Sequence, residues 1–512
     1  PILRAKAIAF ENAAGRDREV LDELGNTVLY GHPDAQAILT KIQVENDRLL
    51  ILRNTVEGER PAGFVSYREI GNEDLFGVLK DMELANLGRG KSSREILLIT
   101  GIYAREDGTG DSGVIRDAPQ QLLVEVLAKE LEKNYSFALF VAERGTATKE
   151  VVYVLERQGF IRPHMADEND KRTIYMVDMH EPLMFLHNLD TTIKEPFASN
   201  PAVLDAVEKN HKKLQIAMTK LYPGNLVLSL SSGIMYHRLV DRITALNDVP
   251  REPLVPRRLG KNMCVPFGKI LRGKVVPNTV TKTLHTDKVY EPNLNSFTIE
   301  PFPYYSPLKS QIETIKSFDR PVILVDDLVH TANRLQVLVP QLREDGIPIK
   351  KVVVGVLSGY GRDLMQCLKV PVESIYSMPN LRQWFVESTL YPFIGGDTVR
   401  REEMKVAGLQ PSINMLLPYA TPRLSGCSRE ALVEFSACCI ENSRDLFQVL
   451  EAEYRKMYAK NLTLSRLSEA VILPLCPDKG SCMEYDENLA ASVYLENDLE
   501  TLWRMKEFMI KG

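Results

Sequence analysis

The chain has 512 residues, a length typical of about three domains. Hydrophobic residues make up 44% and charged residues 26%, which excludes a disordered, collagenous or coiled-coil protein. The formal net charge of -5 provides no overall field that would attract nucleic acid or a membrane surface, so neither is an expected partner. No apolar stretch approaches the roughly 18 residues needed to cross a bilayer. Seven cysteines, a sparse and odd number, favour a reducing, cytoplasmic location over a disulfide framework.

The first region, about residues 1–180, is predicted to mix strands with amphipathic helices. Its candidate strands are rich in Ile, Leu, Val, Phe and Tyr. They are Arg48–Asn54, Ala62–Arg68, Glu95–Tyr103, Ser136–Ala142 and Thr173–Asp178. Between the third and fourth of them, Gln120–Lys133 places leucines and valines on one helical face, and Asp117 with Pro119 indicates where that helix begins.

A glycine-containing loop, REDGTG at residues 105–110, follows the third candidate strand. Glycines leave backbone N–H groups free to face a pyrophosphate, and a helix N-terminus adds the positive end of its dipole. The succession of strand, glycine loop, helix and strand resembles the GNAT family of acetyl-coenzyme A-dependent N-acyltransferases over roughly residues 1–180. This resemblance implies a mixed sheet with a splay between the strands that end near Ala104 and Ala142.

The resemblance also implies roles for particular residues. Those that would line the pantetheine arm of acetyl-coenzyme A are Ile102, Tyr103 and Ala104. Those that would bind its pyrophosphate are Arg105, Gly108 and Gly110. Glu106 or Glu143, or a water that they activate, would deprotonate the attacking amine. Leu155 occupies the position of the family's tyrosine that protonates the departing thiolate, so Tyr153, two residues earlier, is the candidate acid.

The second region, about residues 195–402, contains nearly continuous apolar runs. Before them, Asn200 and Pro201 predict the start of a helix. The runs are Leu226–Leu230, Pro321–Val325 and Lys351–Leu357. Such runs are typical of strands buried on both faces of a parallel sheet with helices between them, so we predict a doubly wound, mostly parallel α/β sheet. The remaining residues, 411–512, favour a helical C-terminal region.

Two adjacent acids, Asp326 and Asp327, end the second of these runs. Ligands bind at that edge of an open parallel sheet, and carboxylates there resist desolvation unless they meet donors or a metal. Ribose hydroxyls and Mg²⁺ would both satisfy them. The segment VILVDDLVHTANRL, which begins at Val322, resembles the PRPP motif of the type I phosphoribosyltransferases. This resemblance covers about residues 200–400.

By this resemblance, Asp326 and Asp327 would contact the ribose and Mg²⁺, and Thr331 the 5′-phosphate. The residues that would approach the pyrophosphate are Ser231, Ser232 and Gly233. Those of a mobile basic loop that would close over the substrate are Lys274, Lys282 and His285. The family has glycine where this chain has Ala332, and Thr or Ser where it has Arg334, so we expect Arg334 to bind the phosphate by its charge. A homodimer through this domain is a further expectation.

Together these patterns predict a multidomain transferase that uses acetyl-coenzyme A, with PRPP and Mg²⁺ or a nucleotide bound by its second domain. The expected reaction is acyl transfer to an amine of a small nucleotide-like or sugar-phosphate-like metabolite. Two alternatives stay open: a non-catalytic PRPP or nucleotide sensor or scaffold, and an active phosphoribosyltransferase. The eight histidines are scattered and show no H-x-x-x-H pair, so the two aspartates are the only predicted metal ligands.

Overall fold

The computed structural model describes residues 8–55, 58–74, 94–105, 117–143, 148–163, 172–256, 258–401, 406, 408–479 and 485–511. The chain forms two compact units. Unit 1 comprises Pro1–Met184, Pro223–His237 and Tyr376–Gln383, and unit 2 comprises Phe185–Tyr222, Arg238–Ile375 and Trp384–Gly512. Within the described ranges, no helix combines the length and apolar character needed to span a membrane.

Unit 1 is built on a mixed sheet in which β1 to β6 lie side by side in chain order and β7 pairs with β6. The strands are β1 (Ile8–Ala14), β2 (Arg48–Asn54), β3 (Arg60–Gly71), β4 (Arg94–Ala104), β5 (Phe137–Glu143), β6 (Arg172–His187) and β7 (Asn225–Ser231). Neighbours are antiparallel from β1 to β4 and again between β5 and β6, whereas β4 and β5 run parallel. The predicted mixed sheet is therefore confirmed.

Two helices cover one face of this sheet near β2. The helices of this part of the chain are α1 (Arg18–Asn26), α2 (Ala35–Glu45), α3 (Ala118–Glu130) and α4 (Lys149–Arg157). Leu24 of α1 and Ile42 of α2 share a buried cluster with Ile51 and Phe64. α3 begins one residue after Asp117, as predicted, and its leucines and valines are buried.

β4 and β5 separate towards their C-terminal ends. Their parallel register extends from Ile96 opposite Phe137 to Ile99 opposite Phe140 and ends there. β4 nevertheless continues to Ala104, which still pairs with Gly63 of β3, and β5 continues to Glu143, which pairs with Arg172 of β6. Beyond Ile99 and Phe140, β4 therefore stays paired with β3 and β5 stays paired with β6, but β4 and β5 no longer pair with each other. The predicted splay is confirmed.

β6 is longer than the predicted strand. The prediction ended at Asp178, but the strand extends to His187. Leu183, Met184 and Phe185 are buried with at most 1% exposure, so burial sustains the strand beyond Pro182.

Most of the later elements belong to unit 2. The helices are α5 (Pro201–Leu221), α6 (Ser232–Leu246), α7 (Leu308–Lys316), α8 (Asn333–Glu344), α9 (Gly359–Cys367), α10 (Arg429–Tyr458) and α11 (Ala491–Lys511). The strands are β8 (Met263–Pro266), β9 (Val280–Thr281), β10 (Thr286–Tyr290), β11 (Phe297–Pro301), β12 (Val322–Val329), β13 (Ile349–Ser358), β14 (Val372–Met378), β15 (Gln383–Val386), β16 (Asp397–Val399), β17 (Gln410–Ile413) and β18 (Leu475–Pro477).

Unit 2 contains a five-stranded sheet in the order β14-β13-β12-β8-β9, in which β12 runs parallel to both of its neighbours. Its core includes Leu324, Val354 and Leu338, all fully buried. A second sheet has the order β11-β10-β16-β17-β18. The predicted start of α5 is confirmed, because the side chain of Asn200 accepts hydrogen bonds from the N–H groups of Ala202 and Val203. The long C-terminal helix α10 packs against α5 and α11.

The apolar run Leu226–Leu230 forms a strand, as predicted, but in a different sheet. β7 pairs with β6 of unit 1 and not with β8, β12 or β13. The N–H of Val227 donates to the carbonyl of Gln158 at 3.0 Å, which fixes the strand beside the end of α4. The prediction that this run shares a sheet with the other two is wrong, because burial on both faces does not specify which sheet a strand joins.

Gly159 allows this close approach. It has φ +91°, and a Cβ there would lie 2.1 Å from the carbonyl oxygen of Asn225. Gly31 has a similar φ of +79° but open space around it.

We expect Gly31→Ala to lower the free energy of unfolding by about 1–2 kcal/mol, which is the cost of placing a residue with a side chain in a left-handed backbone conformation. Gly159→Ala should lower it by a further 1–3 kcal/mol, roughly, through overpacking. Denaturant titration checks this; equal losses in the two variants would contradict the role of close packing.

Candidate functional sites

The C-terminal end of β4 forms one side of the opening in unit 1. Beyond the last β4–β5 pair lie Ile102, Tyr103 and Ala104, the residues predicted to line the pantetheine arm. Ile102 is buried, and Tyr103 and Ala104 are partly exposed. The N–H of Arg105 donates to the carbonyl of Ala62 at 3.0 Å, so pairing with β3 persists to the end of the strand. The three predicted residues are therefore held on a rigid edge.

The side chain of Tyr103 is part of the core. Its ring packs against that of Phe64, with centroids 4.9 Å apart, and lies over Gly101, where a Cβ would approach the ring to 2.4 Å. Burial raises the pKa of Tyr103 to about 12, and the negative charges of Asp47 and Asp34 add to this effect. The phenol therefore stays neutral. A ligand in the opening would meet the backbone of this residue.

A buried polar cluster that the sequence did not reveal marks the point where the strands part. Thr100 is the extra residue of a bulge in β4, because Tyr67 opposes Ile99 and Ser66 opposes Gly101. The hydroxyl of Thr100 donates to Oδ2 of Asp47 at 2.6 Å and lies 2.8 Å from Oγ of Ser66. Gly101 within a strand pattern is the signal that could have indicated the bulge.

Asp47 anchors this cluster although it is only 1% exposed. Burial raises the pKa of its carboxyl, while the hydrogen bond from Thr100 and the charge of Arg68 oppose the rise. Nη1 of Arg68 lies 3.3 Å from Oδ1 of Asp47 and also contacts Glu45. The bulge is therefore fixed by buried, hydrogen-bonded side chains.

The predicted acid–base residues are described only in part. Glu106, Gly108 and Gly110 lie outside the described residues. For Glu143 the structure gives the backbone, the last residue of β5. Tyr153 is exposed on α4, with the guanidinium of Arg157 5.0 Å from its ring centre.

Asp117 also binds a residue of α4. It precedes α3, but its carboxylate forms no capping bond. Instead, Nη2 of the buried Arg157 donates to both carboxylate oxygens, at 3.0 and 2.8 Å. This ion pair ties the start of α3 to the end of α4.

In unit 2, Asp327 binds the turn that follows β8 at the carboxyl end of the parallel sheet. Its Oδ2 accepts a hydrogen bond from the N–H of Lys269 at 2.7 Å, and its Oδ1 accepts one from Ile270 at 2.9 Å. These donors follow β8, the strand adjacent to β12. A Cβ on Gly268 would lie 2.6 Å from Oδ1 of each acid, so the turn reaches Asp327 only because residue 268 has no side chain.

Asp326 is less well compensated than Asp327. Its Oδ1 accepts a hydrogen bond from the N–H of Asp327 at 2.8 Å and lies 3.9 Å from Nη1 of Arg334. Burial raises the pKa of Asp326 to about 7; the charge of Arg334 opposes this rise and that of Asp327 adds to it. Asp326 is therefore the less compensated of the two carboxylates, and the predicted Mg²⁺ binding by both stays a prediction.

Cationic side chains surround the acids. Nε and Nη2 of Arg272 are buried and have no hydrogen-bond partner among the residues that the structure describes, and the guanidinium stands 5.1 Å from the ring centre of Phe302. Burial lowers the pKa of Arg272, and the charge of Arg334 lowers it further. The pKa of Lys269 is lowered by desolvation and by the charge of Arg272. Arg272 was missed because a sequence does not show which donors remain unsatisfied.

The predicted basic loop is not a single loop. β9 interrupts it, and the N–H of Lys282 donates to the carbonyl of Cys264 at 3.0 Å. The middle of this segment pairs with β8, and closure of a mobile loop over a substrate stays a prediction. Lys274 is partly buried, and burial lowers its pKa. The ring of His285 stacks on that of Tyr305, with centroids 3.8 Å apart.

The predicted phosphate loop has, at residue 332, the backbone shape expected of a glycine. Ala332 has φ +50°, a left-handed conformation that glycine adopts without strain. Thr331 accepts a hydrogen bond from Asn333 at 2.8 Å. Ser231, which ends β7, and Ser232 and Gly233, which begin α6, belong to unit 1, whereas the two acids belong to unit 2.

No protein-family model matches the chain, and neither does any curated protein. Among the solved structures that are similar over about a third of it, three illustrate the likeness. The catalytic domain of Tetrahymena GCN5 histone acetyltransferase in complex with coenzyme A is 11% identical, with 34% of this chain and 93% of that chain covered and a TM-score of 0.23. A GNAT-family acetyltransferase from Bacillus cereus is 16% identical (33% and 96%, TM-score 0.21). An acetyltransferase from Thermus thermophilus is 14% identical (34% and 97%, TM-score 0.22).

The two acids should respond differently to neutralisation. Because the pKa of Asp326 is raised from 3.8 to about 7, the folded protein binds more protons than the unfolded one between these values, and this group lowers stability as the pH rises through them. Asp326→Asn should therefore raise the free energy of unfolding at pH 8 by about 1–3 kcal/mol and have little effect near pH 4.

Asp327→Asn is the matched variant. Its amide NH₂ would face a backbone N–H donor, so we expect a loss of about 1–3 kcal/mol at pH 8. Denaturant titrations of both variants test the pair. A loss of stability in Asp326→Asn at pH 8 would show that Asp326 is held as an ion pair with Arg334.

Proposed function

We propose that unit 1 transfers an acyl group from acetyl-coenzyme A to an amine. The observation that carries this proposal is the opening between β4 and β5 beyond Ile99 and Phe140. An extended chain with amide groups can pair with an open strand edge, and the pantetheine arm of coenzyme A is such a chain. Ile102 and Ala104 would contact the arm, and Arg105 with Gly108 and Gly110 would bind the pyrophosphate.

The chemistry needs a base, an oxyanion site and an acid. Glu106 or Glu143, directly or through water, would take the proton from the amine as its nitrogen attacks the thioester carbonyl. Backbone N–H groups of β4 would stabilise the tetrahedral oxyanion. The C–S bond then breaks, and Tyr153, which is exposed on α4, would give its proton to the departing thiolate.

We also propose that unit 2 binds an anionic ribose phosphate, PRPP with Mg²⁺ or a nucleotide, at the carboxyl end of β12. The support is the pair of unsatisfied nitrogens on Arg272 together with Arg334 and the two acids. Such a site would suit a sensor or scaffold, or a working phosphoribosyltransferase if pyrophosphate is released. Because both units belong to one chain, such a site also suggests that the acceptor of unit 1 is nucleotide-like or sugar-phosphate-like.

Gly108→Val tests the acyl proposal. A β-branched side chain would block the approach of backbone N–H groups to a pyrophosphate, so calorimetric affinity for coenzyme A should fall at least tenfold, roughly the loss of one charge-assisted bond. Gly58→Val, at an exposed turn of the same unit, is the control. Unchanged affinity in Gly108→Val, at equal melting temperature, would remove this loop from the site.

Arg272→Met tests the ribose-phosphate proposal. It removes the charge but keeps the length of the side chain, so affinity for PRPP with Mg²⁺ should fall by about 10- to 100-fold, as expected for a charge-assisted hydrogen bond. Arg343→Met on α8 is the control, because the guanidinium of Arg343 donates to the backbone carbonyls of Leu368 and Lys369. Equal affinities in the two variants would contradict the proposal. Release of pyrophosphate would favour the enzyme over the sensor.

A further inference from the structure

Three potential metal ligands from distant parts of the sequence meet within unit 2. His187 ends β6, His211 lies in the middle of α5, and Glu387 begins the 3₁₀ helix Glu387–Leu390. One nitrogen from each imidazole and one carboxylate oxygen all lie within 4.8 Å of one another. In the part of the chain that the structure describes, no other such group of three occurs.

The ligand atoms are arranged around a common point. Nδ1 of His211 contacts Oε1 of Glu387, and Nδ1 of His187 lies 4.0 Å from Oε2. The imidazole centroids are 4.4 Å apart, with the rings inclined at 76°. Tetrahedral zinc with bonds of about 2.0–2.1 Å places its ligand atoms about 3.4 Å apart, so side-chain shifts of about 1 Å would complete such a site.

The cluster has a buried base and an accessible side. The side chain of Glu387 is fully buried, whereas those of His187 and His211 are 16% and 21% exposed. A carboxylate in that position needs compensation. The N–H of Leu189 donates to its Oε2 at 3.3 Å.

Neighbouring residues orient the ligands. Nε2 of Gln215, one turn after His211 on α5, lies 3.1 Å from Nε2 of His187, so Nδ1 is the ring nitrogen that faces the carboxylate. With the amide of Gln215 turned over, its oxygen would accept the Nε2–H of His187 and leave Nδ1 as the metal ligand. The residues that follow two of the ligands are bonded to each other: Nδ2 of Asn188 donates to Oγ of Ser388 at 3.0 Å, and the N–H of Ser388 donates to Oδ1 of Asn188 at 2.9 Å. Metal ligands are typically held by such outer contacts.

A simple ion pair between His211 and Glu387 would explain only part of this arrangement. It does not account for the second imidazole, which Gln215 directs to the same carboxylate. Two imidazoles and one carboxylate are the donors that zinc and similar ions prefer, whereas Mg²⁺ and Ca²⁺ prefer oxygen alone.

We propose that His187, His211 and Glu387 bind one divalent transition-metal ion, of which zinc is the probe of choice. The three protein ligands leave a fourth position open to water on the accessible side. The ion links the end of β6, the middle of α5 and the segment after β15. This site is separate from the predicted Mg²⁺ ligands Asp326 and Asp327.

The test uses the full chain after removal of metal with a chelator. Calorimetry with Zn²⁺ should show one tight site per chain, and Co²⁺ should give visible absorption without the near-ultraviolet band of thiolate ligands. His211→Gln, whose amide can still donate to Glu387, should weaken Zn²⁺ binding by more than the roughly 10- to 100-fold that loss of an orienting residue costs. Gln215→Leu should fall within that range.

His180→Gln is the matched control, because His180 is an exposed histidine of unit 1 that contacts Asp178. It should bind Zn²⁺ as the wild type does. Absence of Zn²⁺ binding by the wild type would overturn the proposal, and so would unchanged affinity in His211→Gln with an unchanged circular dichroism spectrum. If His211→Gln does not fold, the same comparison with His187→Gln decides.

Discussion

The architecture of unit 1 depends on the different hydrogen bonding along the two edges of β4. The strand stays paired with β3 to its last residue, but it pairs with β5 only as far as Ile99. The bulge at Thr100 lies at this transition, and its hydroxyl is bonded to Asp47, a carboxylate that is itself buried and held by Arg68. A buried polar cluster has two discrete states, satisfied or not, so it fixes the place of separation more sharply than apolar packing would.

In unit 2 the corresponding constraint is electrostatic. Asp327 uses both oxygens to hold the turn after β8, and Asp326 is left beside it with a carboxyl that burial keeps partly protonated near neutral pH. Arg272 has the opposite imbalance, two buried donors without acceptors. The carboxyl end of β12 therefore has an undercompensated acid and an undercompensated cation close enough for their charges to interact.

The local structure could largely be read from the sequence, and the long-range structure could not. β2 coincides with the predicted strand because its apolar run is bounded by polar residues, and Asn200 with Pro201 gave the start of α5 through local capping. The sheet that β7 joins was missed because pairing with β6 is decided by residues far away in the chain. For the same reason His187, His211 and Glu387 carry no sequence signal: they are separated by 24 and 176 residues, and only the fold brings them together.

Gly268 has a consequence for the order in which unit 2 can assemble. The turn that it permits bonds to Asp327, 58 residues later in the chain. Contacts of such sequence separation form late, because loop closure costs entropy before the contact stabilises anything. During synthesis, β8 and its turn therefore emerge from the ribosome well before their anchor exists, and the cationic segment around Arg272 has no carboxylate from β12 to organise it until that strand has been added.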